Sequence, residues 1–280
     1  MLELLKYDFF QNALLSTILI GISCGLVGTY IVAKRMVFIS GGITHTSFGG
    51  LGMAYYLGFS PMLGATVFSL LAALSILFLS DNKKLREDSL IGIFWSAGMA
   101  IGILFIYLTP GYAPNLMSYL FGNILTVTRE QILLSVVLCL LIILFFCRFS
   151  RPLFYIAFDK EYSKTHHVHV NIIDVSATVI IALCIVLCLK LAGIILVISY
   201  LTIPQAIAGI FYKNFSQQLP ASAIISTLGS VIGLFAAAWL NIPSGTSIVI
   251  CFLVLFGVCW TIRHWFFTWH PTPGKSKKNK

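Results

Sequence analysis

The chain has 280 residues, 59% of them hydrophobic and only 10% charged, with 18 Lys and Arg against 9 Asp and Glu. A soluble domain carries roughly 25% charged residues. With a mean hydropathy of +0.96 and repeated apolar runs of about twenty residues, this composition describes a polytopic membrane protein and excludes a soluble enzyme, a disordered chain and a secreted disulfide scaffold. The formal charge of +9 is scattered over short loops and a tail, where it sets topology, so nucleic acid is not an expected partner.

The N-terminal segment lacks a basic region and a small-residue cleavage site, and is expected as a retained first span. Nine spans follow in chain order, near 12–33, 36–58, 62–80, 90–108, 130–148, 172–190, 192–212, 219–239 and 245–262. Their apolar runs are continuous, not alternating, which predicts an all-α fold and no β-barrel. Eight spans result if the second is re-entrant. The chain thus divides into one transmembrane domain, 1–262, and a basic tail, 263–280.

Placing the N-terminus outside puts Lys34, Arg35, Lys83, Lys84, Arg86, Arg148, Arg151, Lys160, Lys164, Lys213, Arg263 and four tail lysines on the cytoplasmic side. Only Lys6, Arg129 and Lys190 fall outside, a bias that orients the chain N-out and C-in. The longest polar interruption, 149–171, hides no soluble domain. Gly274, Lys275 and Ser276 have the last letters of a phosphate-binding loop, but Trp269 stands where its first glycine belongs. Uphill transport would therefore draw on a partner or an ion gradient. The seven cysteines lie in or at the ends of apolar runs without C-x-x-C spacing, and read as small buried hydrophobes.

Span two carries the most informative residue. His45 lies nine residues past Met36, about 14 Å into the membrane at the helical rise. Around it stand Ser40, Thr44, Thr46 and Ser47 with Gly41, Gly42, Gly49, Gly50 and Gly52. Polar groups at this depth mark candidate pathways, and neutral imidazole is a common ligand of borderline transition metals. His45, Ser40, Thr44 and Ser47 are the candidate translocation path. The glycines permit close helix packing or local unwinding; the plainer alternative is a histidine bonded to a neighbouring helix.

Span four opens with Glu87 and Asp88, which complement a helix N-terminus. The cytoplasmic stretch from Phe158 to His169 suits a short surface helix, and His166, His167 and His169 form a weaker metal candidate. In span seven, Pro204 frees a carbonyl near Tyr200 that Thr202 and Gln205 could satisfy. Either a packing kink or a gating hinge follows from that pattern. The tail pairs Trp265 and Trp269 with a basic end.

Together these residues resemble the membrane permeases of ABC-type zinc, manganese and iron importers. The resemblance rests on Arg35 and Met36 through His45 to Gly50, Glu87 to Gly92, Leu120 to Gly122, Phe158 to Glu161, Gly193 to Pro204, and Leu240 to Gly245. It implies a type II ABC importer-like permease of the bacterial inner membrane that acts as a homodimer. An extracytoplasmic metal-binding protein would deliver a divalent ion, and a separate cytoplasmic ATP-binding subunit would drive it. Phe158, Asp159, Lys160 and Glu161 would couple to that ATPase. No cofactor and no covalent chemistry are expected of the chain itself.

Two departures stand out: Gly41 occupies the family's aspartate position, and His166 and His167 replace a Leu-Gly pair. Losing a hard oxygen ligand tilts the expected cargo towards zinc over manganese. A cobalamin-, haem- or siderophore-type permease is the related alternative. An intramembrane enzyme lacks H-E-x-x-H, paired aspartates and G-x-S-x-G, and an ion-gradient transporter would place carboxylates mid-membrane, where only Asp174, near a span end, comes close.

Overall fold

The computed structural model describes residues 6–80, 85–110, 124–165 and 169–269, and among these every regular element is a helix. In chain order they are α1 (Asp8–Ala33), α2 (Val37–Leu57), α3 (Pro61–Ser80), α4 (Glu87–Leu108), a 3-10 turn (Ile124–Thr126), α5 (Arg129–Phe158), the short α6 (Lys160–Thr165), α7 (Val170–Ala192), α8 (Ile194–Phe211), α9 (Phe215–Leu240) and α10 (Ser244–Trp269). The nine long helices coincide with the nine expected spans. Seven are long and apolar enough to cross a membrane; α2 and α8 are the other two. In α2, 21 residues suffice for length, so its Ser, Thr, Gly and His content is what sets it apart.

Two helices run further than their apolar stretches. α5 continues past residue 148 and through Pro152 to Phe158, because Leu153 and Ile156 find buried contacts beyond the apolar run. α10 likewise passes residue 262 and reaches Trp269. The Leu120–Gly122 element, His166, His167 and the tail from 270 lie outside the described residues.

Among the seven helices long and apolar enough to cross a membrane, α1 and α7 are the most enclosed. α1 packs against α9, α5 and α8, while α7 packs against α3, α5, α8 and α2. α2 lies between α4 and α3, with α7 and α8 behind it. These approaches are close because small residues face each other. A Cβ on Gly50 would land on the Gly64 backbone of α3, one on Gly52 on the Gly102 backbone of α4, and one on Gly25 on Ala223 of α9. Lipid supplies no hydrophobic drive between helices, so backbone proximity and the dispersion it permits do the packing.

The connections are tight where the chain reverses. Arg35, at φ 60°, turns α1 into α2. Gly193 alone links α7 to α8 at φ 81° and ψ 167°, a region open essentially only to glycine. At one end of the bundle Asp8 and Arg129 approach to 3.8 Å, both exposed. The other end holds the C-terminus of α1, the N-termini of α4 and α7, and α6; it is the cytoplasmic end in the charge-derived topology.

Candidate translocation site on α2

α2 is an unbroken helix from Val37 to Leu57, so its glycines serve close packing here and not unwinding. Half-buried His45 projects towards α4. Its ring stacks on Trp95, with centroids 4.1 Å apart and planes 12° from parallel. One α4 turn further on, Met99 brings its Sδ to 3.4 Å from His45 Nδ1. Beside them, Thr46 donates to the carbonyls of Gly42 at 2.7 Å and Phe94 at 2.8 Å, pinning α2 to α4.

Gly41 lies one turn before His45 on the same face. A Cβ there would meet Trp95 Cζ3 at 2.8 Å. The indole therefore fills the space that a side chain at position 41 would need. The donors that the described residues place at His45 are an imidazole and a thioether, with no carboxylate.

Ser40, Thr44 and Ser47 share a different face, roughly 100–160° around the helix from His45. All three are fully buried, and their hydroxyls donate back to the carbonyls of Val37, Ser40 and Thr44. The structure thus brings His45 together with Trp95 and Met99, and does not join it to the three hydroxyls. Among the described residues no group of three or more His, Cys, Asp or Glu is placed to hold a metal ion. An ion at His45 would complete its shell with the thioether, with carbonyls or water, or with a second copy of the chain.

On α8, Pro204 removes the amide that would have bonded the Tyr200 carbonyl. Gln205 replaces it: its Nε2 donates to Tyr200 O at 3.1 Å and also to Cys24 O of α1 at 3.0 Å. A Cβ on Gly28 would collide with the Gln205 amide, so α1 leaves room for this contact. Thr202 bonds the Ile198 carbonyl instead. Gln205 therefore ties the proline region of α8 to α1.

Phe158 ends α5, and its exposed ring lies 4.7 Å from that of Phe154. Asp159 separates α5 from α6, and its Oδ1 accepts from Tyr162 N at 2.9 Å, which caps the short helix. Glu161 and Lys164 pair at 3.3 Å on the outer face, with Tyr162 half exposed beside them. Lys160 turns inward, to Asp174 Oδ2 at 3.0 Å. His169 is exposed just before α7. In the first turn of α4, Glu87 lies within electrostatic reach of Lys34 and Lys160.

Trp95, Met99 and the surroundings of Asp174 escaped the sequence reading. Trp95 and Met99 sit four residues apart in an ordinary apolar run, and nothing within that run reveals which helix they face. Asp174 did carry a signal, as a lone carboxylate in the first turns of an apolar span.

Residues 6–262, nearly the whole helical bundle, match the model of the ABC 3 transport family. The chain belongs to this family. It is 42% identical over 253 residues to an uncharacterised membrane protein of Synechocystis sp., covering 89% of each chain. It is 31% identical to the manganese transport system membrane protein MntC of Halalkalibacterium halodurans, covering 91% of this chain and 88% of the relative. Among solved structures, PsaBC from Streptococcus pneumoniae, in complex with Fab, superposes with a TM-score of 0.82 at 29% identity, over 95% of this chain and 96% of that one. An inward-facing metal-chelate type ABC transporter at 19% identity and a TM-score of 0.74 shares the fold. As an ABC 3 family permease, the chain is a multi-pass membrane transport subunit and not an enzyme; ATP hydrolysis belongs to a separate subunit.

Proposed function

We propose that this permease imports a bare divalent transition-metal ion along a route that passes His45, between two copies of the chain. An extracytoplasmic metal-binding protein delivers the ion, and a cytoplasmic ATP-binding subunit docks on the outer face of α6 around Phe158, Glu161 and Lys164. The observation that carries the reading is an imidazole well inside the membrane, on a helix whose other face is closed by packing, with a second ligand-capable atom 3.4 Å away. A bare ion is handled by one or two such donors, whereas a bulky chelate needs a wide apolar or aromatic pocket.

Zinc is the favoured cargo. Position 41 has no carboxylate, and Trp95 occupies the space beside it. The remaining donors, imidazole and thioether, suit zinc better than manganese, which prefers oxygen. Manganese is the second reading, supported by the manganese transport roles named for relatives from Halalkalibacterium halodurans and Streptococcus parasanguinis. A strain lacking this permease, grown in chelator-treated medium, separates the two. Rescue of growth by added zinc alone supports the first reading, and rescue by manganese alone supports the second. Growth indistinguishable from the parent under every metal limitation contradicts metal import.

A further inference from the structure

The cytoplasmic end of the bundle contains a buried charge cluster that the translocation route does not use. Asp174, in the second turn of α7, is only 1% exposed. Its Oδ1 accepts from Lys34 Nζ at 2.7 Å, and Tyr30 donates to the same oxygen at 3.4 Å. Its Oδ2 lies 3.0 Å from Lys160 Nζ. Three elements therefore meet on one carboxylate: the α1–α2 turn through Lys34, α6 through Lys160, and α7 through Asp174 itself. Glu87, at the start of α4, lies within electrostatic reach of both lysines.

A carboxylate withdrawn from water is retained only when it is paired on both sides, and its removal would leave two ammonium groups facing each other. α6 is six residues long, too short to hold its position by helix propensity, and its main packing partners among the described elements are α5 and α7. The Lys160 ion pair fixes it to the other oxygen of the carboxylate that holds Lys34. Lys34 is the C-cap of α1 and stands two residues before Met36, the N-cap of α2. A displacement of α6 is thereby passed through Asp174 to the foot of the helix that bears His45.

We propose that Asp174 is a positioning residue for energy coupling, a clamp that transmits movement of α6 to α1 and α2. This rests on the reading that α6 receives the ATPase, and it goes beyond that reading by naming the part inside the membrane domain that carries the stroke. Lys160 is accordingly a clamp partner and not a docking residue.

The test uses the permease purified with its ATPase subunit and reconstituted in proteoliposomes, comparing Lys160→Met, Lys160→Arg and Asp174→Asn with the parent. ATP hydrolysis and zinc or manganese uptake are measured on the same preparation. Lys160→Met is the principal variant, because Lys160 is 24% exposed and its loss leaves the Lys34–Asp174 pair intact. For Lys160→Met and Asp174→Asn, ATP hydrolysed per ion imported is expected to rise at least fivefold, the lower end of ordinary site-to-site coupling. Lys160→Arg, which keeps the charge, is expected to restore the parental ratio. An unchanged ratio in Lys160→Met overturns the clamp, as does failure of Lys160→Arg to rescue. Amide hydrogen exchange over 160–165 in the purified permease gives a second reading that requires no transport. Faster exchange in Lys160→Met supports the tether to Asp174, and unchanged exchange removes it. If the parent assembles with its ATPase but moves neither metal, the proposed function fails, while the exchange comparison still decides the tether.

Discussion

Replacing Met99 with leucine preserves most of the volume beside His45 and removes only the sulfur. The stacking of His45 on Trp95 should survive this change, since Trp95 approaches the ring face and Met99 its Nδ1 edge. If the thioether takes part in cargo choice, zinc uptake should fall relative to manganese by about tenfold, equivalent to about 1.4 kcal/mol. Competitive uptake of the two ions by cells expressing equal amounts of parent and Met99→Leu protein measures it. An unchanged ratio would return Met99 to packing. At this scale the sequence exposed half of the arrangement. His45 and Gly41 stand out because polarity and missing bulk are visible at a single position. Trp95 and Met99 do not, because contact between α2 and α4 is a property of the bundle and leaves no mark in either helix alone.

Among the elements, α8 and α6 respond differently to substitution because their ties differ. Gln205 replaces an intrahelical bond lost at Pro204 and also reaches the α1 carbonyl of Cys24. Gln205→Leu leaves the Tyr200 carbonyl unpartnered, which costs about 1–3 kcal/mol. A lower thermal midpoint in detergent is the expected result, and an unchanged midpoint would mean that water takes over the lost donors. On α6 the useful change is at the outer face. Exchanging Glu161 and Lys164 reverses the local charge pattern while keeping their mutual pair and the Asp159 cap. Weakened ATPase association with normal permease stability is expected, measured by co-purification; full association would exclude this face from docking. The bond from Gln205 to the Tyr200 carbonyl freed by Pro204 could be read from sequence because the proline's missing amide and the glutamine lie within about one turn. The inward turn of Lys160 could not, since its partner lies 14 residues away across a loop.

For the whole molecule, the nine helices and their order were legible because lipid forces continuous apolar runs into helices. Lys34, Lys160, Glu87 and Asp174 gather at one end of the bundle and Asp8 and Arg129 at the other. The length of α5 was not legible, because its extension beyond the apolar run depends on the buried contacts of Leu153 and Ile156. The route through the molecule is the claim on which the functional account turns. Accumulation of zinc and manganese in cells carrying His45→Ala, at membrane levels and ATPase association equal to the parent, tests it directly. The account predicts uptake reduced to that of cells without the permease; parental accumulation of both metals by the variant would contradict it.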